Sequence, residues 1–528
     1  MPRTTTSLML LVGALGCTGT IGEGGHSPTD SPDVAPTPAQ CAAQGPAAST
    51  AILSRLSARA VDRSLEALFG EPSTRAEELL HDAPGGADLV GSIDVERQLD
   101  FGAQVGIAEG PRLQCGETTE CRTRVATWGR RVWRRPLSDA ELDALMALPS
   151  GRERMTRLFG SPHFHYVPEP VGDTPGVAEL DGWARATRLA FALTGATPDD
   201  ALLDAAAAGA LETAEGVRTE GERLLGTEGG QRWLRAFFHW WLDLDHLADL
   251  DKDPEVFGDW SDAVPGLYRR ELDAFVDALV AGGRLGFDDL VSATWTMEND
   301  ALARYRGHSA PSSEAFVRVE RDPAHHAGVL TSGAFLATHA RRYETSPLHR
   351  GLFIRERIFC GSVGDPPEDV EVVAPDPDPS LTTRERLAQH RADPACATCH
   401  DYLDPPGFAF ERFDADGRLR DTENGLPIDA SGELRGTDVD GFFDGAAELG
   451  ARIAESAQAQ RCFSRQWFRF LRQSLETEDD ECAIEGGYDA MQGADRDARD
   501  LVLALVTSDA FLMRRVAAPS DDAEGEER

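Results

Sequence analysis

Ala395-Cys396-Ala397-Thr398-Cys399-His400-Asp401-Tyr402-Leu403-Asp404-Pro405-Pro406-Gly407-Phe408 is the stretch around which this chain is organised. Two thiols three residues apart, with an imidazole next in line, form the pattern for attaching a c-type haem. At that spacing Cys396 and Cys399 can sit on one turn and form thioethers to the two haem vinyl groups. His400 then turns its ring to the iron as proximal ligand. The same letters also fit a redox-active or structural C-x-x-C disulfide, or half of a zinc site, and no second close ligand pair follows to complete the latter. Asp404-Pro405-Pro406-Gly407 reads as a turn after the proximal helix, with Asp401 and Asp404 as turn residues. Phe408, Phe410 and Phe413 suit a haem face or a protein core. Arg418 and Arg420 are either charge-assisted partners for haem propionates or surface arginines.

Around this motif lie 528 residues, more than one hydrophobic core can organise, so several domains are expected. The charge is one-sided, 90 acidic against 52 basic residues for a net −38. A phosphate backbone would be repelled, which argues against nucleic acid and anionic membrane surfaces as partners. Lys252 is the single lysine, the other basic residues being arginine. With so much alanine and glycine, that bias reads as a GC-rich genome.

The amino terminus carries an export signal. Arg3 supplies a short positive region, and Leu8 to Leu15 an apolar run too short to span a bilayer. The run ends Ala14-Leu15-Gly16-Cys17, which is similar to a bacterial lipobox whose cysteine is acylated and becomes the mature first residue. Ala14 stands where Leu or Val is usual, and an ordinary signal peptide is the alternative. Thr18 after Cys17, rather than Asp, suits an outer-membrane address. Residues 18–47 are rich in Gly, Ser, Pro, Thr and Asp without apolar periodicity and read as a flexible tether. No later segment is apolar enough over sufficient length to cross a membrane, so attachment is expected through the lipid alone.

Export favours disulfides. Setting aside Cys17 and the C-x-x-C pair leaves Cys41, Cys115, Cys121, Cys360, Cys462 and Cys482, an even set compatible with three bridges of unreadable connectivity. A disulfide within the C-x-x-C pair would leave parity equally satisfied.

The rest reads as helix. Ala51 to Phe69 places Ile52, Leu56, Ala60, Leu65 and Leu68 near one face, with Gly70 as the stop. Cys121 to Val132 is helical, and Ser138 with Glu141 forms a capping box after Pro136. Leu180 to Leu193, Asp199 to Ala208, the aromatic-rich Gln231 to Leu247 and Leu267 to Val280 follow. The fold class expected is mainly α, a multi-domain helical protein with a small cytochrome-c-like motif region. Asp243, Asp245, Asp249, Asp251 and Asp253 lack the glycine and terminal glutamate of a calcium loop and read as a solvated helix end. His163 and His165 flank Phe164 in an extended piece, a conceivable metal pair without a partner acid. His239 reads as a packed core histidine and His325-His326 as surface.

These segments, in order, resemble a known family, the large secreted multi-domain proteins of planctomycetes and myxobacteria built from serial domains of unknown function beside planctomycete cytochrome-type domains. The resemblance is carried by Arg55-Leu56-Ser57 to Gly70, Trp133-Arg134-Arg135-Pro136-Leu137-Ser138, and Ser161-Pro162-His163-Phe164 to Leu193 with Trp241-Leu242. It continues through Gly328-Val329-Leu330-Thr331, Ser346-Pro347 to Gly351, Pro394 to Arg420, Gln460 to Leu471 and Ser508 to Phe511. The segment between Gly70 and Cys115 is abbreviated relative to the family. The resemblance implies a c-type-cytochrome-like region and supplies no catalytic residues.

The resulting division is a lipoprotein signal peptide (1–17), a tether (18–47), and an abbreviated amino-terminal helical segment (48–100). A helical domain (101–158), a central helical domain (159–307), a haem-motif domain (308–425) and a carboxy-terminal helical domain (426–528) follow. His339, within the motif domain, is the candidate distal haem ligand, and Met491 is the one methionine beyond the motif in a suggestive context. The expected function is that of an exported, lipid-anchored cell-envelope protein carrying haem c at Cys396, Cys399 and His400, with Cys17 acylated. It would serve electron transfer or a redox reaction, as a haem-dependent oxidoreductase subunit with an unknown redox partner protein and no nucleic acid. The alternative is a cell-surface structural or interaction lipoprotein whose C-x-x-C is a disulfide.

Overall fold

The structure, a computed structural model, describes residues 36–37, 40–41, 54–80, 92–167, 176–363, 378–390, 394–493 and 496–516. The signal peptide, Cys17 and most of the tether lie outside the described residues. Among the described residues helices dominate, and the strands form five two-stranded antiparallel sheets. The described residues gather into two cores.

The first core joins helices from Ala58–Phe69 through Pro162–His165, around Val61, Leu65, Phe101, Val125, Val132, Leu158, Phe159 and Phe164. Ala58–Phe69 starts where the Ser57 side chain accepts from the Ala60 amide and ends at Gly70 in the left-handed region. The helix expected from Ala51 therefore begins later. Ser54–Arg55 is a strand paired with Tyr166–Val167, because the Leu56 amide finds the His165 carbonyl at 2.8 Å and draws the chain out into register. Asp62, on that helix, accepts from the amides of Ala76 and Glu77 and so caps the next helix, Arg75–Leu79, from a distance. The capping box of Ser138 and Glu141 opens Asp139–Met146 as expected. Ahead of it Arg134, with φ 58°, ends Thr119–Trp133 and donates to the carbonyls of His163, Phe164 and Tyr166.

Those bonds hold Pro162–His165 as a helical turn rather than the extended piece expected. His163 and His165, two apart on a helix, therefore point to different sides and form no metal pair. His163 faces Glu141 and Arg135. His165, 2% exposed, packs on Phe101 and Phe164.

Burial, with help from Arg55 and Arg134, pushes the His165 imidazole down from 6.5 to about 4. The folded state thus binds fewer protons than the unfolded one. His165 contributes its full stabilisation above about pH 6.5 and loses it as the pH falls towards 4, by about 3 kcal/mol in all. Hydrogen exchange read by mass spectrometry on peptides spanning 155–167 is expected to accelerate over that window. In His165→Phe the acceleration should shrink.

The second core is continuous from Ala186 to Leu512 and draws on segments 159–307, 308–425 and 426–528 alike. Its centre is the aromatic helix Glu228–Trp241, where Phe237 stacks on Trp467 at 3.5 Å between centroids, and Trp241 is fully buried. Met513–Val516 pairs with Gly176–Glu179, so the far end of the body closes onto its beginning. Cys360–Cys462 ties the motif segment to the carboxy-terminal helices, and Cys41–Cys482 pins the end of the tether to Glu481–Met491. With Cys115–Cys121, these are the three bridges that parity allowed. Asp251 and Asp253 pair with Arg342 on the surface, as a solvated helix end should. His239 is partly buried and bonds Asp273 at 2.7 Å, while His325 and His326 are half-buried, His326 packing edge-on against Phe413, where burial pushes it down to about 4.

Candidate haem-attachment site

The motif occupies one helix, Pro394–Phe408, which runs through Pro405 and Pro406 instead of turning before them. A proline inside a helix removes the amide that would bond the carbonyl four residues earlier. For Pro406 that carbonyl belongs to Tyr402, and it is satisfied from another element. Arg355, on the π-helix Ile354–Ile358, donates to it through Nε at 3.1 Å and Nη2 at 3.0 Å. The same guanidinium lies 3.6 Å over the Tyr402 ring and donates to the Arg435 carbonyl at 2.7 Å. Arg355 is fully buried, so this one cation fastens the motif helix to Arg435, the residue that follows strand Ser431–Leu434.

Across the helix lies Pro347–Phe353, in a contact closed by glycines. A Cβ on Gly351 would sit 1.9 Å from the Leu403 carbonyl oxygen, and one on Gly407 would sit 1.8 Å from that of Pro347. Arg350, on the same helix, anchors the chain that follows the motif by donating to the carbonyls of Leu336, Phe410, Phe413 and Asp414. The motif helix is thus fixed on two sides before any cofactor is considered.

His400 lies one turn before Asp404, and its Nδ1–H donates to Asp404 Oδ1 at 3.0 Å. Helical spacing of four places them on one face. The Asp404 side chain is 0% exposed, and its Oδ2 has no hydrogen-bond partner. Cys399 carries a free, partly buried thiol, while all six of the other described cysteines with placed side chains are bridged. The side chain of Cys396 lies outside the described residues. This donor set fits haem c. A thiol stands next to a histidine whose Nδ1 is committed to a carboxylate, so Nε2 is the nitrogen that iron would take. Among the described residues no group of three or more His, Cys, Asp and Glu side chains is arranged to hold a bare metal ion.

The other candidates are placed elsewhere. His339 is buried, donates from Nε2 to the Leu242 carbonyl at 2.9 Å, and packs on Phe335 and Phe353. Burial pushes it down to about 4, so it is neutral, and none of these contacts belongs to the motif helix. Met491 is buried in the second core. Phe408, Phe410 and Phe413 are core residues. Arg418 pairs with Asp416 and Asp259, and Arg420 donates to the Glu411 carbonyl and to Asp414, so both arginines hold the turn after the helix. Sequence reading missed Arg350, Arg355 and the Asp404 contact. The signal for Asp404 was its spacing of four from His400. The arginines carried none, since their acceptors are backbone carbonyls.

Comparison with known families matches three stretches. Residues 180–307 match a protein of unknown function (DUF1592), residues 326–423 one of unknown function (DUF1588), and residues 441–511 one of unknown function (DUF1585). Together they cover more than half of the chain, and the second contains the motif helix. No curated protein and no solved structure matches the chain.

Proposed function

Because the chain belongs to the serial-domain family associated with planctomycete cytochromes, we propose that it carries haem c on Cys396, Cys399 and His400. In this reading it serves electron transfer or a redox reaction at the cell envelope, held there by a lipid on Cys17. The observation that carries the reading is the His400–Asp404 pair on a helix whose second motif cysteine is a free thiol. Haem so held supplies a one-electron couple. The chain's own part is to hold it: Cys399 and Cys396 anchor by thioether, His400 offers Nε2, and Asp404 fixes that ring. Arg355 and the Gly351–Gly407 contact keep the helix in place, so that ligand geometry changes little between oxidation states.

No helix among the described residues is long and apolar enough to cross a membrane, and the reading assigns attachment to acyl chains at the far end of the tether. With a net charge of −38, the chain suits a basic partner protein in the exchange of electrons.

Full-length protein made in a host with cytochrome-maturation machinery is expected to show a c-type pyridine haemochrome, with the colour retained on denaturing gels. Cys399→Ala loses one thioether and His400→Ala shifts or abolishes the Soret band. A colourless product whose peptide map shows Cys396 bridged to Cys399 overturns the reading in favour of a structural lipoprotein.

A further inference from the structure

We infer that Asp404 is the positioning residue that sets both the tautomer of His400 and the reduction potential of the iron it would hold, an inference that rests on the haem reading above. A histidine that ligates through Nε2 must carry its proton on Nδ1, and the group that accepts this proton fixes ring orientation and ligand basicity. In this protein that acceptor is a carboxylate. Asp404 Oδ1 lies 3.0 Å from His400 Nδ1, and the Asp404 side chain is 0% exposed.

Two further observations make the pair a working unit. Asp404 Oδ2 is buried without a hydrogen-bond partner, and no arginine or lysine among the described residues pairs with the carboxylate. Among the described residues this carboxylate is shared with no guanidinium and is closed off from solvent, and the imidazole is the hydrogen-bond partner it shows. Drawing the Nδ1 proton towards Asp404 leaves more electron density on Nε2. A richer ligand and a nearby buried negative charge both favour ferric over ferrous iron. The second observation is positional. Pro405 and Pro406 cannot extend the hydrogen-bond ladder, yet the backbone stays helical through them because Arg355 holds the Tyr402 carbonyl. Asp404 is thereby kept on the face of His400, where a turn at this point would have carried it away.

Asp404→Asn keeps volume and a hydrogen-bond acceptor but removes the charge, so haem content and folding should survive while the midpoint potential changes. The expected result is a rise equivalent to at least a tenfold shift in the oxidised-to-reduced ratio, about 59 mV for a one-electron couple. Asp404→Glu, which retains a carboxylate, should stay closer to the wild-type potential than Asn does. Spectroelectrochemical titration of matured full-length protein reads both.

If the wild type binds haem covalently and Asp404→Asn leaves the potential unchanged, the role of Asp404 is overturned and the haem reading stands. If the wild type carries no haem, both fall together. Should Asp404→Asn fail to accumulate, the ¹⁵N spectrum of wild-type chain made without maturation decides. His400, assigned with His400→Gln, should be protonated on Nδ1 and bare on Nε2. An Nε2–H tautomer overturns the inference.

Discussion

Gly407→Ala is expected to destabilise the motif region by on the order of 4 kcal/mol, and Gly351→Ala by a similar amount. The clash is with backbone on both sides. An alanine Cβ at 407 would stand 1.8 Å from the Pro347 carbonyl oxygen and 2.5 Å from its carbon, and one at 351 would stand 1.9 Å from the Leu403 oxygen. A carbon and a carbonyl oxygen tolerate an approach of roughly 3.3 Å, so the helices would have to separate by about 1.4 Å. No rotamer change relieves this. Separation would open the packing of Phe353, Leu403 and Phe408, all of which are buried. It would also lengthen the Arg355 bonds that replace the amide lost at Pro406. The two substitutions address one contact from opposite sides, so their effects should not add. Once the first has parted the helices, the second should cost far less. Urea unfolding of the single and double variants measures this. A double variant whose loss equals the sum of the singles would mean that the two glycines do not share one seam.

How far such a site can be read in advance depends on whether its partners are side chains at fixed spacing or carbonyls of distant backbone. The capping box of Ser138 and Glu141 and the stop at Gly70 are local, and both stand as expected. The even cysteine set gave three bridges, though not that Cys41 would reach Cys482 across 441 residues. The prolines misled. Pro405 and Pro406 normally end a helix, and only a donor from outside the segment overcomes that tendency. Arg355, 47 residues earlier, has no sequence relationship to Tyr402 that periodicity could reveal. The abundance of arginine over lysine reads from composition as a genomic bias, yet several of these arginines sit inside the protein as multi-pronged donors to carbonyls. Arg134 and Arg355 are two of them. Lys252 does the same with fewer acceptors, the carbonyls of Ala337 and Arg341. His339 illustrates the converse. A histidine in the right segment looks like a ligand, but burial between two phenylalanines with Nε2 spent on a carbonyl makes it a core residue.

Arg350→Met is expected to cost about 5 kcal/mol and to loosen the chain that follows the motif helix. The arginine is 0% exposed, and its fork divides between two pairs of acceptors. Nη1 donates to the carbonyls of Phe410 at 3.0 Å and Phe413 at 3.2 Å, while Nη2 donates to Leu336 at 3.0 Å and Asp414 at 3.3 Å. Methionine fills much of the same space and donates nothing, so those acceptors would remain buried and lose a charged donor. Each such loss costs roughly 1–3 kcal/mol before relaxation. The buried Glu411 adds to the penalty. Its Oε1 lies 3.8 Å from Arg350 Nη1 and has no hydrogen-bond partner, and burial already raises its pKa. Removing the cation leaves Glu411 with Thr345 at 2.8 Å and Arg420 at 3.4 Å, one cation instead of two, which favours its protonation further. Arg350→Lys should rescue little, because one ammonium cannot span four acceptors set by a planar fork. Glu411→Gln added to Arg350→Met should recover part of the loss, since it removes a buried carboxylate left with one cation, Arg420, and leaves the orphaned carbonyls. Urea midpoints of the three variants measure the sizes. Hydrogen exchange over residues 408–420 locates them, because the damage should concentrate in the turn that Arg350 holds and spare the first core. If exchange there is unchanged while the protein as a whole is destabilised, Arg350 acts through the general core and not through this turn.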